Sequence, residues 1–231
     1  MIKGLQKTTL IDYPGKIACT IFIGGCNFRC GYCYNSDLVF KLNEIPSITE
    51  EQIFNFLETR KKFLEGVCIT GGEPTLYPGL EIFIKKIKDL GFSVKLDTNG
   101  SNSEVLERLL KGHLLDYVAM DVKASLENYE WVIGTKVSRE KLKGSIELIK
   151  KSGVDYEFRT TIIPDVIDSE QITAICQEIK GAKRYFLQQF RPDKKAIGEK
   201  YRKMKPLPIS RLREFQDIAR QAIPEVAIRN C

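Results

Sequence analysis

The 231-residue sequence contains one histidine, one tryptophan and an odd number of cysteines, seven. A single histidine, His113, excludes any two-histidine metal site, and a Ser-His-Asp arrangement would have to use it. Seven cysteines in a chain of this length fall well short of a disulfide scaffold, so those with a role are expected to bind metal or act in catalysis. No apolar run approaches the ~18 residues of a membrane span. Met1 to Lys16 has no apolar core of a secretory signal. These absences predict a cytoplasmic protein with no membrane partner. Charge of one sign is also scarce: 36 basic against 30 acidic residues leave +6, a mild excess on a mixed surface that argues against a nucleic-acid partner. What the chain has is material for a core, at 43% hydrophobic and 29% charged residues. One domain is expected over residues 1–231, with a core at about 17–190, an N-terminal extension at 1–16 and a C-terminal helical extension at 206–231.

Short β-branched runs recur at Ile17–Ile23, Val67–Thr70, Ser93–Asp97, Tyr117–Asp121, Tyr156–Ile163 and Tyr185–Phe190. Mostly apolar runs of this length suit strands covered on both faces. Helical patterns lie between them. Thr49 and Gln52 form a capping box ahead of Ile53, Phe54 and Leu57. Leu80 to Leu90 carries an apolar stripe stopped by Gly91, and a last helix is expected from Ser210 to Ala222. Ser103, Ser138 and Ser169 are read as caps of three further helices. Strands alternating with helices imply βαβ units and a parallel sheet. The fold class is therefore α/β, and periodicity alone leaves an open sheet and part of a (β/α) barrel as alternatives. In either, ligands sit at the C-terminal ends of the strands.

The residues just past each strand carry the chemistry. After the first come Cys26, Cys30 and Cys33, spaced C-x3-C-x2-C. Three thiols in eight residues can wrap one metal centre. Structural zinc wants a fourth ligand, which only Cys19, Cys68, Cys176, Cys231 or His113 could supply, none at neighbouring spacing. An iron–sulfur cluster is the other choice, and most have four cysteines; three on a four-iron cluster leave one iron open. After the second strand comes Gly71-Gly72-Glu73-Pro74, a turn by itself, or a close approach of backbone to ligand with Glu73 as acceptor for an amine. After the third come Asp97 and Asn99. After the fourth, Asp121 and Lys123 face the same way, either as an internal ion pair or as a grip on a zwitterion or sugar. Arg159 in the fifth strand needs an anion, and Gln188 and Gln189 place amides where core residues are usual.

Taken together, these motifs resemble the radical S-adenosylmethionine superfamily over roughly residues 5–205. Cys26, Cys30 and Cys33 match its cluster motif with Tyr32 as the aromatic, and Gly71 to Pro74 resemble its GGEP motif. Within the superfamily, Lys7 to Lys16 and Phe22 to Cys30 resemble the activating proteins of anaerobic ribonucleoside-triphosphate reductase. Leu96 to Gly100 and Asp121 to Lys123 are similar to pyruvate formate-lyase activating enzyme. The resemblance implies a partial (β/α)6 TIM-type barrel, a 4Fe-4S cluster on the three cysteines, and S-adenosylmethionine held by Tyr32, Gly71, Gly72, Glu73, Pro74, Asp97, Asn99, Asp121, Lys123, Arg159 and Gln189. It assigns Asp97 to the methionine amine, Asp121 to the ribose and Lys123 to the carboxylate. No residue is implied as acid or base, in keeping with the single histidine. The implied activity is reductive cleavage of S-adenosylmethionine, with transfer of radical character to a glycine of a partner, anaerobic ribonucleotide reductase. A flavodoxin- or ferredoxin-type protein would donate the electron. A small-molecule radical enzyme resembling 7-carboxy-7-deazaguanine synthase is the alternative.

Two departures stand out. Tyr34 follows Cys33 where many relatives carry His, and Leu187 to Phe190 lack the His that pyruvate formate-lyase activators have near that strand end, leaving the ribose to Gln188 or Gln189 or to neither. The basic stretch Arg191–Lys205 and the Asp12–Lys16 turn read either as solvated loops or as edges that dock a partner at the mouth of the barrel.

Overall fold

The computed structural model describes residues 1–229. Eight strands form one sheet in sequence order: β1 (Ile2–Thr9), β2 (Ala18–Ile23), β3 (Gly66–Gly71), β4 (Ser93–Thr98), β5 (Tyr117–Asp121), β6 (Asp155–Ile162), β7 (Arg184–Gln189) and β8 (Glu225–Arg229). Neighbours from β2 to β8 run parallel, and β1 pairs antiparallel with β2. The helices are α1 (Ser36–Phe40), α2 (Glu50–Arg60), α3 (Leu80–Asp89), α4 (Ser103–Lys111), α5 (Tyr129–Ile133), α6 (Arg139–Lys151), α7 (Ser169–Glu178), α8 (Glu199–Arg202) and α9 (Ile209–Arg220). Strands β2 to β7 with their intervening helices make the partial (β/α)6 barrel. The sheet is not closed, because β1 and β8 remain its two edges.

Local signals place most of these elements. Thr49 and Gln52 form the reciprocal capping box of α2, and the Ser138 side chain accepts from the Lys141 amide at the start of α6. Two expected caps differ. Ser103 is the first residue of α4, behind Asn102, and Asp168 rather than Ser169 caps α7 by accepting from the Gln171 amide at 2.8 Å. Asp168 stands one residue earlier and its carboxylate reaches the third amide. Strand β1 occupies the N-terminal extension. The C-terminal segment holds α9 but then returns to the sheet as β8, so it is not helical throughout. Helix α9 ends at Arg220, and β8 begins directly after Pro224. Cys231 lies outside the described residues.

Parallel pairing sets which side chains share a face. On the helix side, Ile21, Val67, Ile69, Val94, Leu96, Val118, Phe158 and Leu187 are fully buried against Leu57, Phe83, Ile87, Leu109, Ile149 and Ile175. Each such side chain contributes on the order of 2 kcal/mol of burial. The other face lines the barrel interior and is polar above a small apolar floor of Tyr13, Ala18, Tyr117 and Ala119. Tyr13 fills that floor from the loop after β1, with its ring 6.0 Å from that of Tyr117 and packed on the bare Cα of Gly66. The Asp12–Lys16 turn therefore lies at the N-terminal ends of the strands, opposite the mouth, and Asp12 accepts from the Thr20 hydroxyl at 2.6 Å. It cannot be a docking edge for a substrate entering at the mouth. Tyr13→Ala should lower stability by about 3 kcal/mol, read as a shift in urea midpoint, while leaving the far end of the barrel intact.

Candidate functional site

At the C-terminal ends of the strands, the loop after β2 carries Cys26, Cys30 and Cys33. Its entry is stitched to the neighbouring strand end: the Gly72 amide donates to the Ile23 carbonyl and the Glu73 amide to the Gly25 carbonyl, both at 2.8 Å. Gly71 has φ +122°, and a Cβ there would sit 2.3 Å from the Ile23 oxygen. A Cβ on Gly72 would sit 2.0 Å from the Gly25 oxygen. The glycine pair is thus required by the approach of two backbones. Farther along, the Arg29 amide donates to the Ile133 carbonyl at 2.8 Å, and the Arg29 guanidinium donates to the carbonyls of Cys26 and Phe28.

Glu73 is wholly buried, and both of its carboxylate oxygens are occupied. Oε1 accepts from the Thr75 amide and hydroxyl and from the Thr98 hydroxyl at 2.8 Å; Oε2 accepts from the Asn99 amide at 2.7 Å. The expectation that Glu73 offers its side chain to an amine is corrected by this arrangement. It ties the ends of β3 and β4 together, and Pro74 opens the short 3-10 turn Pro74–Leu76. Burial pushes the Glu73 carboxyl above its ordinary pKa in spite of these bonds. Asn99 reaches the cysteine loop, donating to Asn27 Oδ1 at 2.9 Å with its Nδ2 4.0 Å from Cys26 Sγ.

Behind this loop runs a ladder of charge inside the barrel. Arg159 Nε donates to Asp121 at 2.8 Å and its Nη1 to Asp97 at 3.3 Å. Lys123 Nζ donates to the other Asp121 oxygen at 2.8 Å, and Lys95, 2% exposed, pairs with Asp97. One layer down, Arg229 grips Glu157 with two bonds of 2.6 and 2.8 Å, and the Tyr117 hydroxyl donates to Glu157. The cations Lys95, Lys123, Arg159 and Arg229 thus alternate with the carboxylates Asp97, Asp121 and Glu157. Burial opposes every charge here, but Arg159 with Lys123 holds Asp121 well below the usual carboxylate range, and Arg159 with Lys95 depresses Asp97. Lys123, countered by Asp121, stays above its ordinary value despite burial.

Lys95, Glu157 and Arg229 were not singled out from sequence. Lys95 and Glu157 each stand two residues before a chosen residue, Asp97 and Arg159, so strand alternation carried the signal. Arg229 lay hidden in a segment read as helical. Gln189 is corrected: it pairs with Ile162, on the helix side of the sheet, and its amide donates to the Leu207 carbonyl at 2.7 Å. Gln188, paired with Thr161, shares the face of Arg159.

The three thiols fit a bound cluster by their chemistry. Burial pushes Cys30 up to about 11 and raises Cys26 and Cys33, while Lys123 acts on all three in the opposite direction. The Phe28 amide already donates to Cys26 Sγ at 3.4 Å. Metal binding must take the protons from these thiols, and Lys123 is the cation placed to favour that. Among the described residues no three His, Cys, Asp or Glu converge as ligands of a single ion. In a cubane each thiolate binds its own iron, so its ligands need not converge on one point. The Tyr32 hydroxyl is buried beside Lys123 and Cys30.

Residues 20–175 match the family model described as the Radical SAM superfamily. The chain belongs to that superfamily. It is an enzyme of the radical S-adenosylmethionine type, and the cysteine loop, the GGEP turn and every member of the charge ladder except Arg229 lie within the matched span. A protein of Methanocaldococcus jannaschii, provisionally named a glycyl-radical enzyme activating enzyme, is 40% identical over 99% of this chain and 95% of its own length. Among solved structures, Streptococcus suis SuiB bound to S-adenosylmethionine superposes with a TM-score of 0.68 at 17% identity, over 89% of this chain and 48% of SuiB. A domain of pyruvate-formate lyase-activating enzyme from Bacteroides vulgatus gives 0.56 at 18% identity, over 71% of this chain and 99% of that one. Both structural likenesses speak to the shared barrel fold. No helix among the described residues is long and apolar enough to cross a membrane.

Arg159→Gln should cost about 3 kcal/mol, because it strips two buried carboxylates of their shared partner. Since Asp97 and Asp121 have lowered pKa values, the stability they contribute is present above the unfolded value near 4 and lost as pH falls through the folded ones. In acid titrations followed by circular dichroism, the unfolding midpoint of Arg159→Gln should therefore move to higher pH.

Proposed function

We propose that this protein is an activase: it cleaves S-adenosylmethionine reductively and passes radical character to a glycine of a partner enzyme. The observation that carries the reading is the three clustered thiols with Lys123 of the charge ladder beside them at the same strand ends. Lys123 is the cation that would take a methionine carboxylate.

In this reading Cys26, Cys30 and Cys33 hold a 4Fe-4S cluster, which when bound supplies the electron for cleavage. Asp97 accepts from the methionine amine, and Arg159 keeps that carboxylate ionised and aimed. The backbone of Gly71 to Glu73 lines the same side, while the Glu73 and Asn99 side chains brace it. Asp121 faces the ribose, and Gln188 replaces Gln189 as the amide on that wall. Tyr32 offers its hydroxyl inward. The chain acts as one radical S-adenosylmethionine domain, and an acidic one-electron carrier of flavodoxin or ferredoxin type serves as donor. The near full-length likeness to the methanogen protein supports a glycyl-radical enzyme as partner, and the resemblance of Lys7–Lys16 favours anaerobic ribonucleotide reductase.

Anaerobic reconstitution with iron and sulfide, followed by dithionite and S-adenosylmethionine, should release 5′-deoxyadenosine. Cys30→Ala should abolish both the visible absorbance of the cluster and the cleavage. Lys123→Met should raise the KM for S-adenosylmethionine by about tenfold, the worth of one hydrogen bond to a charged group. With a candidate partner present, electron paramagnetic resonance should show a glycyl radical. Turnover of a small pterin with no glycyl radical formed would instead support the deazaguanine-type alternative.

A further inference from the structure

The basic stretch 191–205 keeps its basic side chains exposed, yet it is anchored. It crosses the outer side of the cysteine loop, is fastened to its neighbours at three points and is closed on itself at a fourth. Lys195 Nζ pairs with Asp37 of α1 at 2.7 Å. The Gly198 amide donates to the Gly31 carbonyl, between Cys30 and Cys33, at 2.7 Å. The Lys200 ammonium lies 5.7 Å from the ring of Trp131 on α5. Ala196, 1% exposed, is held by Arg202, whose Nε donates to its carbonyl at 2.9 Å.

Tyr201 is the centre of the contact. Its ring stands edge-on to Tyr32 at 6.2 Å and to Phe190 at 6.4 Å. A Cβ on Gly31 would lie 2.5 Å from this ring, and one on Gly198 2.9 Å from it. Both glycines have negative φ, so backbone conformation does not demand them. The tyrosine ring occupies the space their side chains would fill. A residue seated against Gly31 and Tyr32 bears on the backbone that spaces Cys30 from Cys33.

We propose that residues 191–205 form a strap, with Tyr201 as its positioning residue, that holds the cysteine loop in its metal-binding shape and shields the bound cluster from solvent. The proposal rests on the cluster assignment made above. Three of its basic residues serve the clasp: Lys195 and Lys200 make contacts outside the strap and Arg202 closes the segment on itself. The contact is made by ring packing, with no bond shown for the Tyr201 hydroxyl, so phenylalanine should serve in its place.

The test uses the full chain, reconstituted anaerobically, with two readouts besides activity. The first is hydrogen–deuterium exchange at the Gly198 amide, and the second is the rate at which EDTA bleaches the cluster absorbance. In the unaltered protein the Gly198 amide should be protected. In Tyr201→Ala both its exchange and the bleaching should speed up by about tenfold, and Tyr201→Phe should behave as the parent does. Gly198→Ala, which pushes the ring from the other side, should repeat the effect and stands in if Tyr201→Ala does not fold. An unprotected Gly198 amide in the parent, faster exchange without faster bleaching, or a phenylalanine variant as labile as the alanine one would each overturn the proposal. A parent chain that takes up no cluster, yet shows a protected Gly198, would count against the functional reading and leave the clasp standing.

Discussion

The interior of the barrel depends on one guanidinium. Arg159 stands between Asp97 and Asp121, and each of those carboxylates is shared with a lysine. Desolvating any one of these charges alone would cost several kcal/mol. Held together they neutralise one another in pairs, and Lys123 is the member that acts on the cysteine loop. The sheet can be polar on its inner face only because this ladder is complete. The helix-side face, by contrast, is mostly apolar and supplies the stability that such a polar interior does not. The two faces divide the work between folding and chemistry.

That division explains why strain and close packing gather at the mouth. Gly71 and Gly72 let β3 leave the sheet against the backbone of the cysteine loop, and Glu73 locks the resulting turn to β4. Its carboxylate looks like a ligand group in sequence, but in the fold it is a brace. Under the proposed function the direct contacts fall to Lys123, Asp97, backbone atoms of the GGEP turn and the Tyr32 hydroxyl. The cysteine loop is bounded by α5, whose Ile133 carbonyl accepts from the Arg29 amide, and by the 191–205 segment. A three-thiol loop that must keep a fixed shape is thereby supported from both sides.

Much of this was legible in the residues. The C-x3-C-x2-C spacing, the GGEP turn and the six β-branched runs all report local requirements: clustered ligands, close backbone approach and burial on both faces. The positions of Asp97, Asp121, Lys123 and Arg159 followed from reading the residues near successive strand ends. Strand alternation would also have found Lys95 and Glu157, each two residues away from a chosen position on the same face. Gln188 and Gln189 are adjacent, and a strand turns adjacent side chains to opposite faces, so composition could not choose between them. Register chose Gln188.

The sequence by itself determined the type of fold, the thiol cluster and the turns that local chemistry dictates, because these depend on neighbours a few residues apart. Tertiary structure alone decided what Glu73, Tyr13 and the 191–205 segment do. Glu73 spends its oxygens on Thr98 and Asn99, twenty-five residues or more along the chain. Tyr13 goes to the floor of the barrel, and Tyr201 goes to a glycine between two cysteines that lies far from it in sequence. Such partners are chosen by packing between distant segments, and a linear pattern of residue types carries no record of which segment will arrive.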